Sequence, residues 1–217
     1  MQKESSDSVK MFAAIAALLG WFAIAVQFFL TLEMRVSSVP ETIIRFFSFF
    51  TVLSNIITAL CFTGLLLNPT HALHRFFSKP GIQTAVTVYI VIVGAVYNLV
   101  LRFIWNPEGL QKIADEILHS FIPVLMAIFW LVFTKKNNLQ WKDSLQWMIY
   151  PFCYTVFITI RGAVSGFYPY PFINVPVIGY PRALLNGAGL VVVFMGLSLF
   201  LIAFARFISR KQLKNQL

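Results

Sequence analysis

The chain has 217 residues, of which 59% are apolar, 16% are aromatic and only 12% are charged. A soluble globular domain carries about 25% charged and about 45–50% apolar residues. This composition therefore excludes an ordinary soluble fold, a disordered chain and a secreted disulfide scaffold, and the mean hydropathy of +0.78 agrees. Basic membrane proteins acquire a charge such as +9 from loops that fix their orientation, so we expect no nucleic-acid partner.

The first apolar stretch follows a polar segment, residues 1–10. At about 22 residues it is longer than the apolar core of a signal peptide, which has about 7–15, and no small-x-small cleavage site follows it. We therefore expect this first helix to be retained in the membrane.

Six apolar stretches are long enough to cross a bilayer, which takes about 20 residues. Residues typical of turns separate them, for example at Asn68-Pro69 and Asn137-Asn138. The sequence predicts an all-α, polytopic membrane protein, with one six-helix transmembrane domain over 11–207, a polar tail before it and a basic tail, 208–217, after it. The predicted spans are about 11–32, 43–67, 81–104, 113–134, 145–163 and 183–207.

The distribution of Lys and Arg predicts the orientation. With the N-terminus inside, eleven of the 17 Lys and Arg residues lie on the cytoplasmic side and six on the other. Both termini are therefore predicted to be cytoplasmic. No internal repeat is evident, which argues against a transporter built from inverted repeats. The short loops favour the inner membrane of a prokaryote.

Polar side chains concentrate in the outer halves of the predicted helices. Ionisable groups in a bilayer cost several kcal/mol unless they face one another or a wet cavity, so we expect a shared polar cavity open to the non-cytoplasmic side. In straight helices, Thr51 lies ~12 Å below the start of helix two and His119 lies ~9 Å below the start of helix four. The predicted cavity residues are Thr51, Asn55, Asn98, Arg102, Asp115, His119 and Arg161.

The segment after helix five, residues 166–181, contains four prolines among aromatic residues. This pattern predicts a stiff, non-helical segment with affinity for the membrane interface. Tyr168 and Tyr170 are predicted to cover the cavity, and an interfacial aromatic belt explains the same pattern.

The sequence predicts no cofactor and no metal. His71 and His74 fall in a predicted cytoplasmic loop, and His119 stands alone at its depth. Its neighbours Asp115 and Glu116 project about 100° apart on a helix, which suits shared metal coordination poorly.

Acyl transfer is the chemistry that the remaining groups could support. A hydroxyl nucleophile requires a base, a group that orients the base, and donors for the oxyanion. Thr51 supplies the hydroxyl, His119 the base and Asp115 the orienting carboxylate. The candidate donors or further orienting groups are Asn55, Asn98, Arg102 and Arg161.

Three short motifs add a resemblance to a known family. They are Phe49-Phe50-Thr51-Val52-Leu53-Ser54-Asn55, His119-Ser120-Phe121-Ile122-Pro123 and Gly166-Phe167-Tyr168-Pro169. In this order, on a six-span layout, they resemble the androgen-induced-gene and androgen-dependent tissue-factor-regulator family of transmembrane threonine hydrolases. Members of that family cleave fatty acid esters of hydroxy fatty acids with one Thr and one His. The resemblance implies Thr51 as nucleophile, His119 as base and a lipid ester from the bilayer as substrate.

Two other classes of function remain open on the sequence. The cavity could belong to a non-catalytic carrier, channel or lipid-binding protein that holds an anion through Arg102 and Arg161. It could also be a dry, closed feature of a structural subunit in a larger complex. The sequence leaves the physiological substrate and the oligomeric state undetermined.

Overall fold

The computed structural model describes the backbone of residues 2–214 and the side chains of residues 7–211. The fold is 81% helical, with no strand in the part of the chain that is described. The predicted all-α class is confirmed. The chain divides into two compact units, Met1–Lys135 and Lys136–Leu217.

The first unit contains seven α-helices among its described residues. A short 3-10 turn, Leu101–Phe103, follows the fifth helix, and a π-helical turn, Ile117–Phe121, joins the last two. The α-helices are α1 (Gln2–Glu33), α2 (Val39–Phe46), α3 (Phe50–Leu66), α4 (Ala72–Phe77), α5 (Pro80–Leu99), α6 (Gly109–Glu116) and α7 (Ile122–Val132).

The described residues form five helical segments long and apolar enough to cross a membrane, or six when a bent pair is counted as one span. The bent pair consists of α2 and α3. This set agrees with an integral membrane protein. The five segments are Asp7–Glu33, Pro80–Phe103, Gly109–Val132, Asp143–Ser165 and Val175–Lys211.

The second predicted span, 43–67, is not one straight helix. Its residues belong to α2 and α3, which meet at an angle of 68°. The Ser48 hydroxyl donates to the carbonyl of Ile44 at 2.7 Å, and the Ser48 amide bonds only three residues back, to Arg45. Hydroxyls that bond to the preceding turn often bend helices. The ~12 Å depth of Thr51, which assumed a straight helix, is therefore wrong: Thr51 lies in the first turn of α3.

Residues typical of turns lie where helices begin and end. Pro40 occupies the first turn of α2, where a missing N–H breaks no helical hydrogen bond. Asn138 adopts a left-handed conformation (φ 77°) between α7 and the next helix. Gly166 (φ 70°) ends the fifth predicted span, since glycine tolerates this conformation without a Cβ clash.

Close helix approaches organise the first unit. A Cβ on Gly20 of α1 would lie 3.3 Å from the Cβ of Ala59, so α1 and α3 are in near-backbone contact. The buried Trp130 of α7 donates its indole N–H to the Thr84 hydroxyl of α5 at 2.9 Å. These contacts hold α1, α3, α5 and α7 around a shared core.

The second unit is built from α8 (Asp143–Trp147), α9 (Ile149–Ser165) and α10 (Val175–Lys214), with a 3-10 turn at Pro171–Ile173. The predicted non-helical segment, 166–181, is shorter than expected because α10 already begins at Val175. Proline in the first turn of a helix loses no hydrogen bond, and Pro176 occupies that position. α10 is kinked at Gly179 (φ 75°, ψ 160°), two residues before Pro181.

Candidate functional site

The π-helical turn between α6 and α7 carries His119. At its end the amide of Ile122 bonds the carbonyl of Ile117, five residues back. The carbonyl of Leu118 thereby loses the amide that an α-helix would give it. The carbonyl of His119 loses its own because the fourth residue after it is Pro123, which has no N–H. Two adjacent backbone acceptors in the protein interior thus require other donors.

Asparagine side chains from two other helices supply those donors. The Asn55 amide nitrogen donates to the carbonyl of Leu118 at 3.1 Å and to that of Thr51 at 2.9 Å. The Asn98 amide nitrogen donates to the carbonyl of His119 at 3.1 Å and to that of Gly94 at 2.8 Å. Both hydrogens of each amide are therefore engaged with backbone carbonyls. In this arrangement the two side chains orient the π-helical turn and do not point an N–H at a substrate.

Replacing Asn55 or Asn98 with Leu should lower the stability of the first unit. Each change leaves a buried carbonyl without its donor, which costs about 1–3 kcal/mol. Thermal unfolding of the purified protein in detergent measures the effect. Asn68→Ala is the control, because the Asn68 side chain bonds Thr70 in an exposed turn. Unfolding of the Asn98→Leu variant at the control temperature would contradict the role of this amide.

The environment of His119 fixes which ring nitrogen carries the proton. Its Nδ1 lies 2.9 Å from the backbone oxygen of Asp115 and 3.2 Å from Oδ1 of the same residue. Both atoms are acceptors, so Nδ1 must be the donor and Nε2 keeps the lone pair. The two side chains are only 13% and 7% exposed, so bulk solvent competes little for these bonds. Nε2 is thereby oriented as a proton acceptor.

Tyr97 of α5 contacts both members of this pair. Its hydroxyl donates to Oδ2 of Asp115. Its ring stacks on the imidazole of His119, with centroids 4.1 Å apart and planes at 20°. Tyr97 is not among the residues predicted from the sequence, because a tyrosine in an apolar helix is typical of a core residue. No spacing within α5 indicates a partner eighteen residues further along the chain.

Arg102 and Glu116 form an ion pair beside the cluster of Tyr97, Asp115 and His119. The Glu116 carboxylate also accepts a hydrogen bond from the Ser120 hydroxyl at 2.9 Å. The Arg102 guanidinium lies 5.5 Å from the ring centre of Tyr97. A charge at a membrane helix end is tolerated when it has such partners, and Arg102 has its ion-pair partner in Glu116.

The side chain of Asn55 links Thr51 to the π-helical turn. One amide nitrogen bonds both the carbonyl of Thr51 and that of Leu118, the residue before His119. Thr51 is 9% exposed and lies in the first turn of α3. Because the backbone N–H groups of a first turn point toward the helix start, their dipoles favour negative charge there.

The remaining predicted residues belong to the second unit. The guanidinium of Arg161 lies 5.7 Å from the ring centre of Phe167. The ring of Tyr168 covers Gly162 so closely that a Cβ at residue 162 would overlap it. Tyr170 is buried and stacks on Phe172 at 5.1 Å. The roles predicted for Arg161, Tyr168 and Tyr170 stay predictions.

Within the described side chains, no group of three or more His, Cys, Asp or Glu residues could hold a metal ion. Cys61 is buried and Cys153 is exposed, and both are free thiols.

Comparisons with family models, curated proteins and solved structures found no match to the chain. Fold and site together define a helical protein suited to the membrane, with a Tyr–Asp–His cluster on a π-helical turn. What the protein does must therefore be argued from the chemistry of that cluster.

Proposed function

We propose that the chain is an intramembrane hydrolase of lipid esters, with Thr51 as nucleophile and His119 as general base. The observation that carries the proposal is the bonding of His119 Nδ1 to Asp115, which leaves Nε2 as acceptor on a turn tied to Thr51 by Asn55. Nucleophilic catalysis requires a base that is oriented toward a hydroxyl, and the contact with Asp115 supplies the orientation of this base. Fatty acid esters of hydroxy fatty acids are the proposed substrate class, on the resemblance of the motifs.

In the proposed reaction, Nε2 of His119 takes the hydroxyl proton as Oγ1 of Thr51 attacks the ester carbonyl. The tetrahedral intermediate then expels the alcohol, which receives the proton from the imidazolium. Water attacks the resulting acyl-Thr51 with His119 again as base, and the fatty acid leaves as the Thr51 hydroxyl is restored. Asp115 holds the imidazole in one tautomer and stabilises its charged form throughout.

Backbone dipoles are the groups best suited to stabilise the oxyanion of the tetrahedral intermediate. The amide hydrogens of Asn55 and Asn98 are engaged with carbonyls, and Arg102 is paired with Glu116. The N–H groups of the first turn of α3 point toward the start of the helix that carries Thr51. We propose that the positive end of this helix dipole stabilises the developing negative charge.

An apolar groove of about 540 Å³ is formed by α1, α6 and the π-helical turn. Its lining includes Leu19, Ile113, Glu116, Ile117 and Phe121. Apolar clefts of this size suit hydrocarbon ligands. We propose that it receives the acyl chain of the ester.

Ile113→Trp should fill part of this groove and reduce kcat/KM for long-chain esters more than for short-chain ones. One methylene more or less in an apolar pocket changes kcat/KM by roughly 10–200-fold, and we expect an effect of that order for the longest chains. Rates for esters of increasing chain length measure the effect. Val124→Trp is the matched control, since Val124 is exposed on α7 outside the groove. An equal loss of kcat/KM for long-chain and short-chain esters would contradict the binding of the acyl chain in this groove.

The direct test is turnover by the purified protein in lipid nanodiscs, with a panel of lipid esters and detection of free fatty acid. His119→Gln should abolish release, because glutamine cannot accept and return a proton. Anion flux into proteoliposomes, without ester turnover and unaffected by His119→Gln, would favour a carrier. The pairing of Arg102 with Glu116 weighs against that alternative.

We further propose six membrane spans with both termini in the cytoplasm, in the inner membrane of a prokaryote. The excess of Lys and Arg on one side of the helices supports this orientation. Reporter fusions after residues 36 and 70 should report opposite sides of the membrane, and the same side for both would overturn it.

A further inference from the structure

Tyr97 contacts both Asp115 and His119. Its hydroxyl donates to Oδ2 of Asp115, and its ring lies flat against His119. Tyr97 itself is only 4% exposed, so packing holds it in this position. Few residues can fix a hydrogen bond and a ring plane at the same time.

The hydrogen bond from Tyr97 restricts what Asp115 can do. With Oδ2 engaged by the phenol, the other oxygen, Oδ1, faces Nδ1 of His119 at 3.2 Å. Without the phenol the carboxyl group would be able to rotate and present either oxygen. The Nδ1–H would then keep only the backbone oxygen of Asp115, 2.9 Å away, as a fixed acceptor, and the tautomer with the proton on Nε2 would gain population. That tautomer has no lone pair at Nε2 with which to accept a proton from a hydroxyl.

The stacked ring of Tyr97 restricts the orientation of the imidazole plane. Stacking with ring centres 4.1 Å apart resists rotation of the imidazole. Such a ring pair also stabilises the fold beyond the burial of its apolar area. The π-helical turn sets where the backbone of His119 lies, and Tyr97 sets where its side chain points.

We propose that Tyr97 is a positioning residue that keeps His119 in the Nδ1–H tautomer and aims Nε2 by acting through Asp115 and by stacking. The inference rests on the proposed function for its catalytic consequence. Its structural consequence, the tautomer, can be measured with no substrate present.

The experiment compares Tyr97→Phe with the wild type in nanodiscs. Tyr97→Phe keeps the stacked ring and removes only the phenol oxygen, so the fold is retained even if the more drastic Tyr97→Leu is not. Nitrogen-15 NMR of labelled histidine reports the tautomer, and the His119 signals are assigned by their loss in His119→Gln. We expect a single Nδ1–H form in the wild type and a mixture of tautomers in Tyr97→Phe.

The kinetic readout is kcat separated from KM. We expect kcat to fall roughly 10- to 100-fold, the effect of losing a hydrogen bond to a charged group, with KM nearly unchanged. Tyr89→Phe is the matched control, because Tyr89 is also buried on α5, two turns before Tyr97. In an Asp115→Asn background, Tyr97→Phe should cost less than it does alone, since contacting residues that act together are non-additive.

An unchanged tautomer together with an unchanged kcat in Tyr97→Phe would overturn the inference. Absence of ester turnover in the wild type would instead overturn the proposed function. In that case the NMR comparison still decides the inference, because a shift in tautomer in Tyr97→Phe alone, and not in Tyr89→Phe, supports it.

Discussion

Thr51→Ala is expected to abolish labelling by a fluorophosphonate probe and to lower ester hydrolysis by roughly 10³-fold or more, as loss of a nucleophile does in comparable enzymes. The methyl side chain offers no oxygen to attack the ester or the probe, while His119 and Asp115 are unchanged. Gel fluorescence of the labelled protein and fatty acid release measure the two effects. Stability should be little changed, because the carbonyl that Asn55 bonds belongs to the backbone of Thr51.

Two variants make this result specific. Thr51→Ser keeps a hydroxyl at the same atom and should retain labelling. Thr58→Ala removes another fully buried hydroxyl of α3, which bonds the carbonyl of Ser54 at 2.8 Å, and should label like the wild type. Undiminished labelling of Thr51→Ala would remove Thr51 from the mechanism, whatever the fate of His119.

Gly94→Ala is expected to lower both stability and activity. A Cβ at residue 94 would lie 2.9 Å from the Cβ of Pro123 and 3.1 Å from the carbonyl oxygen of His119. Neither neighbour is the end of a flexible side chain, so α5 must move away from the π-helical turn. Overpacking of this kind costs about 1–3 kcal/mol. The same movement separates the Asn98 amide, one turn later, from its acceptor in the turn.

Gly81→Ala is the control for that prediction. Gly81 lies near the start of α5, and a Cβ there meets no atom within 4 Å. Its replacement should leave activity unchanged and stability unchanged or raised by about 0.4–1 kcal/mol, because alanine restricts the unfolded chain. Thermal unfolding and ester turnover of both variants give the comparison. Equal unfolding temperatures would show that α5 and the π-helical turn are less closely packed than the structure has them.

The membrane-length helices and most of their limits follow from the sequence. The length of each apolar stretch and the turn residues between stretches are local properties, readable without knowledge of the neighbours. The same reasoning failed at Ser48 and at Pro176. In the first case a side-chain hydroxyl bends the chain, and in the second a proline begins a helix. Both outcomes depend on which backbone groups are bonded locally, which hydropathy does not record.

The candidate site followed from the sequence only in part. Asp115 and His119 are four residues apart, a spacing that places two side chains on one helix face, and their contact follows from it. Asn55 and Asn98 were identified as polar residues of the cavity, but as possible donors to a substrate. In the structure their amide groups donate to the carbonyls of Leu118 and His119. These carbonyls lack the backbone N–H donors of a regular α-helix because of the π-helical turn and Pro123.

What the sequence determines by itself is the helical, membrane-suited class of the protein and the polar residues that must find partners in it. Only the tertiary structure decides which partners they find. The contact of Tyr97 with Asp115 and His119 depends on the rotation of α5 against the neighbouring helix and on one extra residue in a helical turn. The reason is physical: a shift of one residue turns a side chain by about 100° around its helix, and no local pattern fixes that angle until two helices are packed together.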